Sequence, residues 1–240
     1  MSRVVLLHGF TQSARSWAPL RPALERAGHE VIAVDLPGHG SAAAQRASLE
    51  EAAAGIAGEC GRASYVGYSL GGRVALHVAL AYPQHVERLV LISTTAGIDD
   101  PTERAARREA DEALADELER GGDPFVPAFV ERWLAGPLFA GLAPDQRGVD
   151  ARVSNTAAGL ASSLRLAGAG TQRPRWDELD RLTMPVLVMA GTLDPKFRVL
   201  AERLVQLIGS SATLTLVPGG HALPFEQPAD VAGRIIDFLT

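Results

Sequence analysis

Apolar residues along the chain gather into short unbroken runs at Val4–Leu7, Val31–Asp35, Ala63–Val66, Leu89–Ser93, Pro185–Ala190 and Thr213–Val217, each bounded by turn residues. Unbroken rather than alternating apolar character is expected of strands covered on both faces, as in a parallel sheet. Between the runs, apolar positions recur at helical spacing over Trp17–Ala27, Leu49–Glu59, Leu70–Ala81, Phe197–Ile208 and Ala229–Phe238. Strand and helix thus alternate, which predicts an α/β fold with a mostly parallel, doubly wound sheet.

The alternation stops between about Gly97 and Leu182, where helical patterns follow one another without a good strand. Pro101–Arg120 is densely charged, Pro124–Leu134 and Gln146–Leu166 are amphipathic, and Gly168–Pro174 reads as a loop. A helical insertion between two strands would lie over their carboxyl ends, where open α/β sheets bind ligands. The expected organisation is a core of residues 1–96 and 183–240 with a helical cap, or lid, of residues 97–182. For the charged helix taken alone, a solvated surface is the simpler reading. No internal repeat is evident.

Composition adds bounds to this picture. A chain of 240 residues, 47% hydrophobic, can bury the core of one α/β domain with an insertion. A formal charge of -5 and no long basic run argue against nucleic acid as a partner and make any arginine cluster a local one. Cys60 is the only cysteine, so neither an intrachain disulfide nor a cysteine metal cluster can form. The opening MSRVVLLHGF has an apolar run too short for a signal segment or a membrane span. A cytoplasmic monomer or small homo-oligomer without membrane insertion is expected.

The stretch VGYSLGGR, residues 66–73, carries the first chemical signal. G-x-S-x-G alone is weak, but here it follows a strand and opens a helix, the setting of a nucleophile elbow. The turn forces Ser69 into strained backbone angles, and Gly67 and Gly71 remove side chains that would clash. The hydroxyl would then project above the sheet, and the Leu70 amide at the helix start would be free to donate to an oxyanion. The partner donor is expected from the Phe10 amide, in the turn of Leu7-His8-Gly9-Phe10, with His8 itself structural.

A serine hydroxyl needs a histidine within reach and an acid to orient it. Of six histidines, only His221 follows the last predicted strand, in Pro218-Gly219-Gly220-His221. Asp194, in Gly191-Thr192-Leu193-Asp194, follows the preceding strand in the same way. The expected catalytic set is therefore Ser69, Asp194 and His221.

The elbow together with LHGF, DLPGHG, GTLD and GGH resembles the α/β-hydrolase superfamily over nearly all the chain outside the cap. That resemblance fixes a fold and leaves the reaction open, a serine hydrolase of an ester, lactone or carbon–carbon bond being one reading. Further stretches are similar to the 2-succinyl-6-hydroxy-2,4-cyclohexadiene-1-carboxylate synthases of the menaquinone pathway. They are GYSLGGR, Glu103–Arg108, Trp133, Pro137–Phe139, Arg152–Asn155, Gly159–Arg165, Gln172, Trp176 and Asp194–Phe197.

This second resemblance implies a lyase that eliminates pyruvate from a small substrate bearing several carboxylates, with no metal or organic cofactor. It also implies that Arg73, Arg107 and Arg152 hold carboxylates while Tyr68, Trp133 and Phe139 shape the pocket. Guanidinium groups suit that role because they pair with carboxylates through two hydrogen bonds. From spacing alone Arg73 would more simply face solvent, and Arg104 and Arg108 compete with Arg107 for the inward phase. Trp133, Phe139 and Trp176 could equally be packing within the cap. Two departures from the pattern stand out. The hairpin that usually leads the sheet is expected to be short or absent, trimming the N-terminal sheet edge. Pro224 stands where the family often has a second histidine, in the loop that must position His221.

Overall fold

A computed structural model describes residues 2–240. Its six strands are β1 (Arg3–Leu7), β2 (Glu30–Val34), β3 (Ala63–Tyr68), β4 (Val86–Ile92), β5 (Val186–Gly191) and β6 (Ala212–Val217). They form one sheet in the order β2-β1-β3-β4-β5-β6, with every pairing parallel. β3 and β5 are buried at every position, while the outermost strand β6 is largely half-exposed. The unbroken apolar runs thus all mark strands, but only the interior ones are covered on both faces; the edge strands β2 and β6, with a neighbour on one side only, are partly exposed. In β1, Val5 and Leu7 enter one hydrophobic core and Val4 and Leu6 the other.

The crossovers are helical. α1 (Arg21–Arg26), α2 (Leu49–Cys60) and α3 (Leu70–Ala81) link the first four strands. The expected helix over Trp17–Ala27 is shorter: a turn of 3-10 helix closes at Trp17 and α1 starts afresh at Arg21, with Pro22 in its first turn. Proline has no amide to donate and fits best at a helix start, so the break falls where the sequence permits it.

Between β4 and β5 lie α4 (Pro101–Gly121), α5 (Val126–Leu134), α6 (Val149–Val153) and α7 (Ala157–Ala167), with no strand among them. These helices build a third hydrophobic cluster from Leu118, Phe129, Val130, Leu160 and Leu164, joined by Ala222 next to His221. The predicted segment Gln146–Leu166 is two helices, interrupted around Asn155. α8 (Pro195–Ile208), α9 (Leu223–Glu226) and α10 (Pro228–Leu239) complete the chain. Among the described residues no helix is long and apolar enough to cross a membrane.

The strand order reverses at β1, with β2 on one side and β3 on the other, and the crevice at such a switch point is where an open sheet receives a ligand. Register brings the loops there together. Leu7 pairs with Gly67, placing the loop after β1 beside the elbow, and Gly191 pairs with Val217, placing the Asp194 loop beside that of His221.

Candidate active site

Ser69 sits between β3 and α3 at φ 52° and ψ −108°. A side chain rarely adopts such angles, and the neighbouring glycines show what holds them. A Cβ at Gly67 would lie 2.3 Å from the Gly71 carbonyl oxygen, and one at Gly71 would lie 2.0 Å from that of Leu7. The helix start is therefore pressed directly onto the ends of β1 and β3. Among the described residues Thr11 and Ser93 are the other non-glycine positions with positive φ, at 66° and 47°. All three lie just beyond strand ends at the same crevice, and strain of this kind persists only where surrounding structure over-determines it.

His221 Nε2 lies 3.3 Å from Ser69 Oγ, and His221 Nδ1 lies 3.0 Å from Asp194 Oδ2. Asp194 Oδ1 accepts from the Phe197 amide at 3.1 Å, which fixes the carboxylate at the start of α8. Burial alone would raise the Asp194 carboxyl, but the bonds from His221 and the Phe197 amide outweigh it and hold the group below its ordinary range. An ionised Asp194 keeps the proton on Nδ1 and leaves Nε2 to accept from the serine. The imidazole is packed against Phe197, with ring centroids 4.3 Å apart, and is buried.

The amides of Phe10 and Leu70 find no protein acceptor among the described residues. His8 is part of the scaffold: its Nε2 accepts from the Leu36 amide at 3.0 Å and its Nδ1 donates to Gly9 O at 2.8 Å. Acceptance at Nε2 requires the neutral ring, and burial pushes its pKa down to about 4.

Ser69 and His221 open into a cavity of about 340 Å³ whose walls include Phe10, Leu70, Tyr68, Arg73, Arg107, Trp133, Phe139 and Arg152. Every pocket residue expected from the resemblance is thus brought to one space, Tyr68 by the end of β3 and Arg73 by α3 from below, and Arg107, Trp133, Phe139 and Arg152 by α4, α5, the turn after α5 and α6 from above. Arg73, which spacing alone would turn outward, is only 8% exposed. Its guanidinium donates to Ala167 O at 2.7 Å and reaches Gln172 Oε1 at 3.4 Å. Burial lowers its pKa to about 10, with the neighbouring Arg107 adding to the shift and Asp111 opposing it.

Arg152 is 2% exposed and donates to Arg147 O, Phe10 O and Thr11 Oγ1, with Phe139 beside its guanidinium. Burial again lowers its pKa to about 10. Among the described residues neither Arg73 nor Arg152 forms an ion pair. Buried charges are normally paired, so two unpaired guanidiniums on one cavity create a strong demand for anionic ligand groups.

Of the three adjacent arginines on α4, Arg107 lines the cavity, with Nε 2.9 Å from the buried Asp111. Arg104 instead caps the carbonyls of Ile98 and Asp99, and Arg108 is exposed. Trp176 lies away from the cavity, donating its indole N–H to Gly97 O under Arg203.

Three structural contributors escaped the sequence reading. Asp111 reaches Arg107 at i,i+4 spacing, a readable signal blurred by Glu112 at the same offset from Arg108. Asn155 accepts from Gly40 N at 2.8 Å and donates to Thr11 O at 2.7 Å and Arg152 O at 3.0 Å, tying α6 to the loop after β1. Glu226 accepts the two amides that flank His221.

Residues 4–234 match the alpha/beta hydrolase family. The chain belongs to that family. A relative from Bacillus subtilis (strain 168), provisionally named 2-succinyl-6-hydroxy-2,4-cyclohexadiene-1-carboxylate synthase, is 35% identical over 251 residues, covering 99% of this chain and 90% of its own. The synthase of that name from Serratia proteamaculans (strain 568) is 30% identical over 246 residues, covering 98% and 92%. The solved structure of MenH from S. aureus agrees at a TM-score of 0.90 and 28% identity, over 99% of this chain and 93% of that one. The chain is therefore an alpha/beta hydrolase-family enzyme similar to these synthases, and the likeness extends through the helices between β4 and β5.

Proposed function

We propose that the chain is a carbon–oxygen lyase. It would eliminate pyruvate from 2-succinyl-5-enolpyruvyl-6-hydroxy-3-cyclohexene-1-carboxylate to give 2-succinyl-6-hydroxy-2,4-cyclohexadiene-1-carboxylate in menaquinone biosynthesis. The observation that carries this reading is the pair of buried, unpaired guanidiniums of Arg73 and Arg152 on the cavity that holds Ser69. A neutral ester would leave both charges unmatched, whereas a substrate with several carboxylates satisfies them.

The chemistry follows from the groups in reach. The substrate proton next to the succinyl ketone, at ring carbon 2, is made acidic by that ketone. Ser69 Oγ takes this proton as it passes its own to His221 Nε2, and Asp194 stabilises the imidazolium. The enolate oxygen that develops is met by the amides of Phe10 and Leu70. Electrons then return through the ring double bond and expel the enolpyruvyl oxygen from carbon 5, leaving double bonds at positions 2 and 4. His221 Nε2 then gives its proton to the departing enolpyruvate, which tautomerises to pyruvate, and Ser69 keeps the proton taken from carbon 2. No acyl-enzyme forms and the balance needs no water. Arg73, Arg107 and Arg152 would hold carboxylates, with Tyr68, Trp133 and Phe139 shaping the apolar walls. Residues 97–182 act as the cap that closes this space over the core of residues 1–96 and 183–240.

Incubation with the enolpyruvyl substrate tests the reading: pyruvate and the conjugated diene should appear in equal amounts. The same serine and histidine geometry also suits acyl transfer, so a panel of short-chain aryl esters separates the lyase from a serine hydrolase. Ester turnover without pyruvate release would favour the hydrolase.

A further inference from the structure

The residue that presents the catalytic histidine is not obvious from a triad. His221 lies in a loop between β6 and α9, directly after Gly219 and Gly220, and two successive glycines give the chain before it little stiffness of its own. It is nevertheless gripped from one side. Glu226 Oε2 accepts from the Gly220 amide at 2.6 Å, and Oε1 accepts from the Ala222 amide at 2.9 Å. One carboxylate thus bonds both residues adjacent to His221, with each oxygen taking one amide. Hydrogen bonds to an ionised acceptor are shorter and about twice as strong as neutral ones.

Several local features agree with this grip. Side chains at Gly219 and Gly220 would intrude on it: a Cβ would lie 3.3 Å and 3.1 Å, respectively, from a Glu226 carboxylate oxygen. On the opposite side, a Cβ at Gly141 would lie 3.1 Å from Oε2, so the loop after Phe139 also closes against the carboxylate. Pro224 lies in the first turn of α9, where its missing amide costs no helical hydrogen bond and its fixed φ starts the turn that carries Glu226 back to the loop. The proline at the departing position therefore supports the loop instead of disturbing it.

We propose that Glu226 is a positioning residue: resting on the triad reading above, it holds the His221 imidazole in line between Ser69 and Asp194 through the two flanking amides. It touches no substrate.

The test uses Glu226→Gln and Glu226→Ala in the full chain. Glutamine has one acceptor oxygen and must turn its NH2 toward the second amide, so it can keep only one of the two bonds. Expected is a fall in kcat of roughly 10-fold for Glu226→Gln and 100-fold for Glu226→Ala with KM little changed, since second-layer partners of a functional histidine typically matter on this scale. Should the wild type release no pyruvate, the low-field NMR resonance of the His221 Nδ1 proton still decides the point without substrate. It should be sharp in the wild type and displaced or broadened in both variants. Unchanged kcat in folded variants, an unchanged resonance, or a loss of activity that only tracks unfolding would each overturn the proposal.

Discussion

Replacing Arg73 by methionine should make the ligand-free protein more stable while disabling it. The Arg73 guanidinium is 8% exposed, forms no ion pair, and has its pKa lowered from 12.5 to about 10, chiefly by burial. At 1.36 kcal/mol per pH unit, that displacement amounts to roughly 3 kcal/mol of penalty on the charged form. The folded pKa is the depressed one, so the penalty is fully present at neutral pH and fades only as pH rises past about 10. Methionine fills much of the same volume without the charge but gives up the bond to Ala167 O, at about 1 kcal/mol. The net gain is ~2 kcal/mol, a rise in Tm of ~4–8 °C for a chain of this length. With the carboxylate-rich substrate the balance inverts, because the guanidinium then has its partner. Losing it should lower kcat/KM by roughly 100-fold or more, as for truncation of a buried charge pair. Differential scanning calorimetry gives the first quantity and continuous pyruvate detection the second. A neutral aryl ester, if turned over at all, should lose little. A lowered Tm with kcat/KM intact, or equal losses on charged and neutral substrates, would refute the assignment.

Two other perturbations follow from buried polar groups. Asn155→Ala strands Gly40 N, Thr11 O and Arg152 O, and should cost about 2–4 kcal/mol in urea unfolding together with a drop in kcat as the loop carrying the Phe10 amide loosens; a cost below about 1 kcal/mol would remove the loop-tying role. His8 and His39 are fully buried, and burial lowers them to about 4 and about 3. The unfolded chain takes these protons near pH 6.5 while the folded one refuses them, so their contribution is complete above pH 6.5 and lost as pH falls towards 4. Urea midpoints should therefore decline between pH 7 and pH 5, and a flat profile there would contradict the burial of both rings in the neutral form.

What the sequence carried and what it withheld divide along physical lines. The strands were legible because burial on both faces leaves an unbroken apolar run, and the sheet's crossovers because their helices have one apolar face. Ser69, Asp194 and His221 were legible as positions because each follows a predicted strand. Their mutual distances depend on the Tyr68–Ile92, Ile92–Met189 and Gly191–Val217 register, which no local pattern encodes. Arg73 defeated spacing arguments since its burial is created by Ala167 and Gln172, nearly a hundred residues away in the chain. The helix break at Asn155 was invisible for the same reason, as its partners Thr11 and Gly40 lie on the other side of the fold.

In the proposed reaction Ser69, relayed through His221 to Asp194, is the base that starts pyruvate elimination. The most direct measurement is the rate of pyruvate release from 2-succinyl-5-enolpyruvyl-6-hydroxy-3-cyclohexene-1-carboxylate by the wild type and by Ser69→Ala at matched concentration. The wild type should exceed the spontaneous rate by orders of magnitude, with Ser69→Ala reduced close to it. A wild type no faster than the buffer alone, or a Ser69→Ala variant as fast as the wild type, would contradict the account.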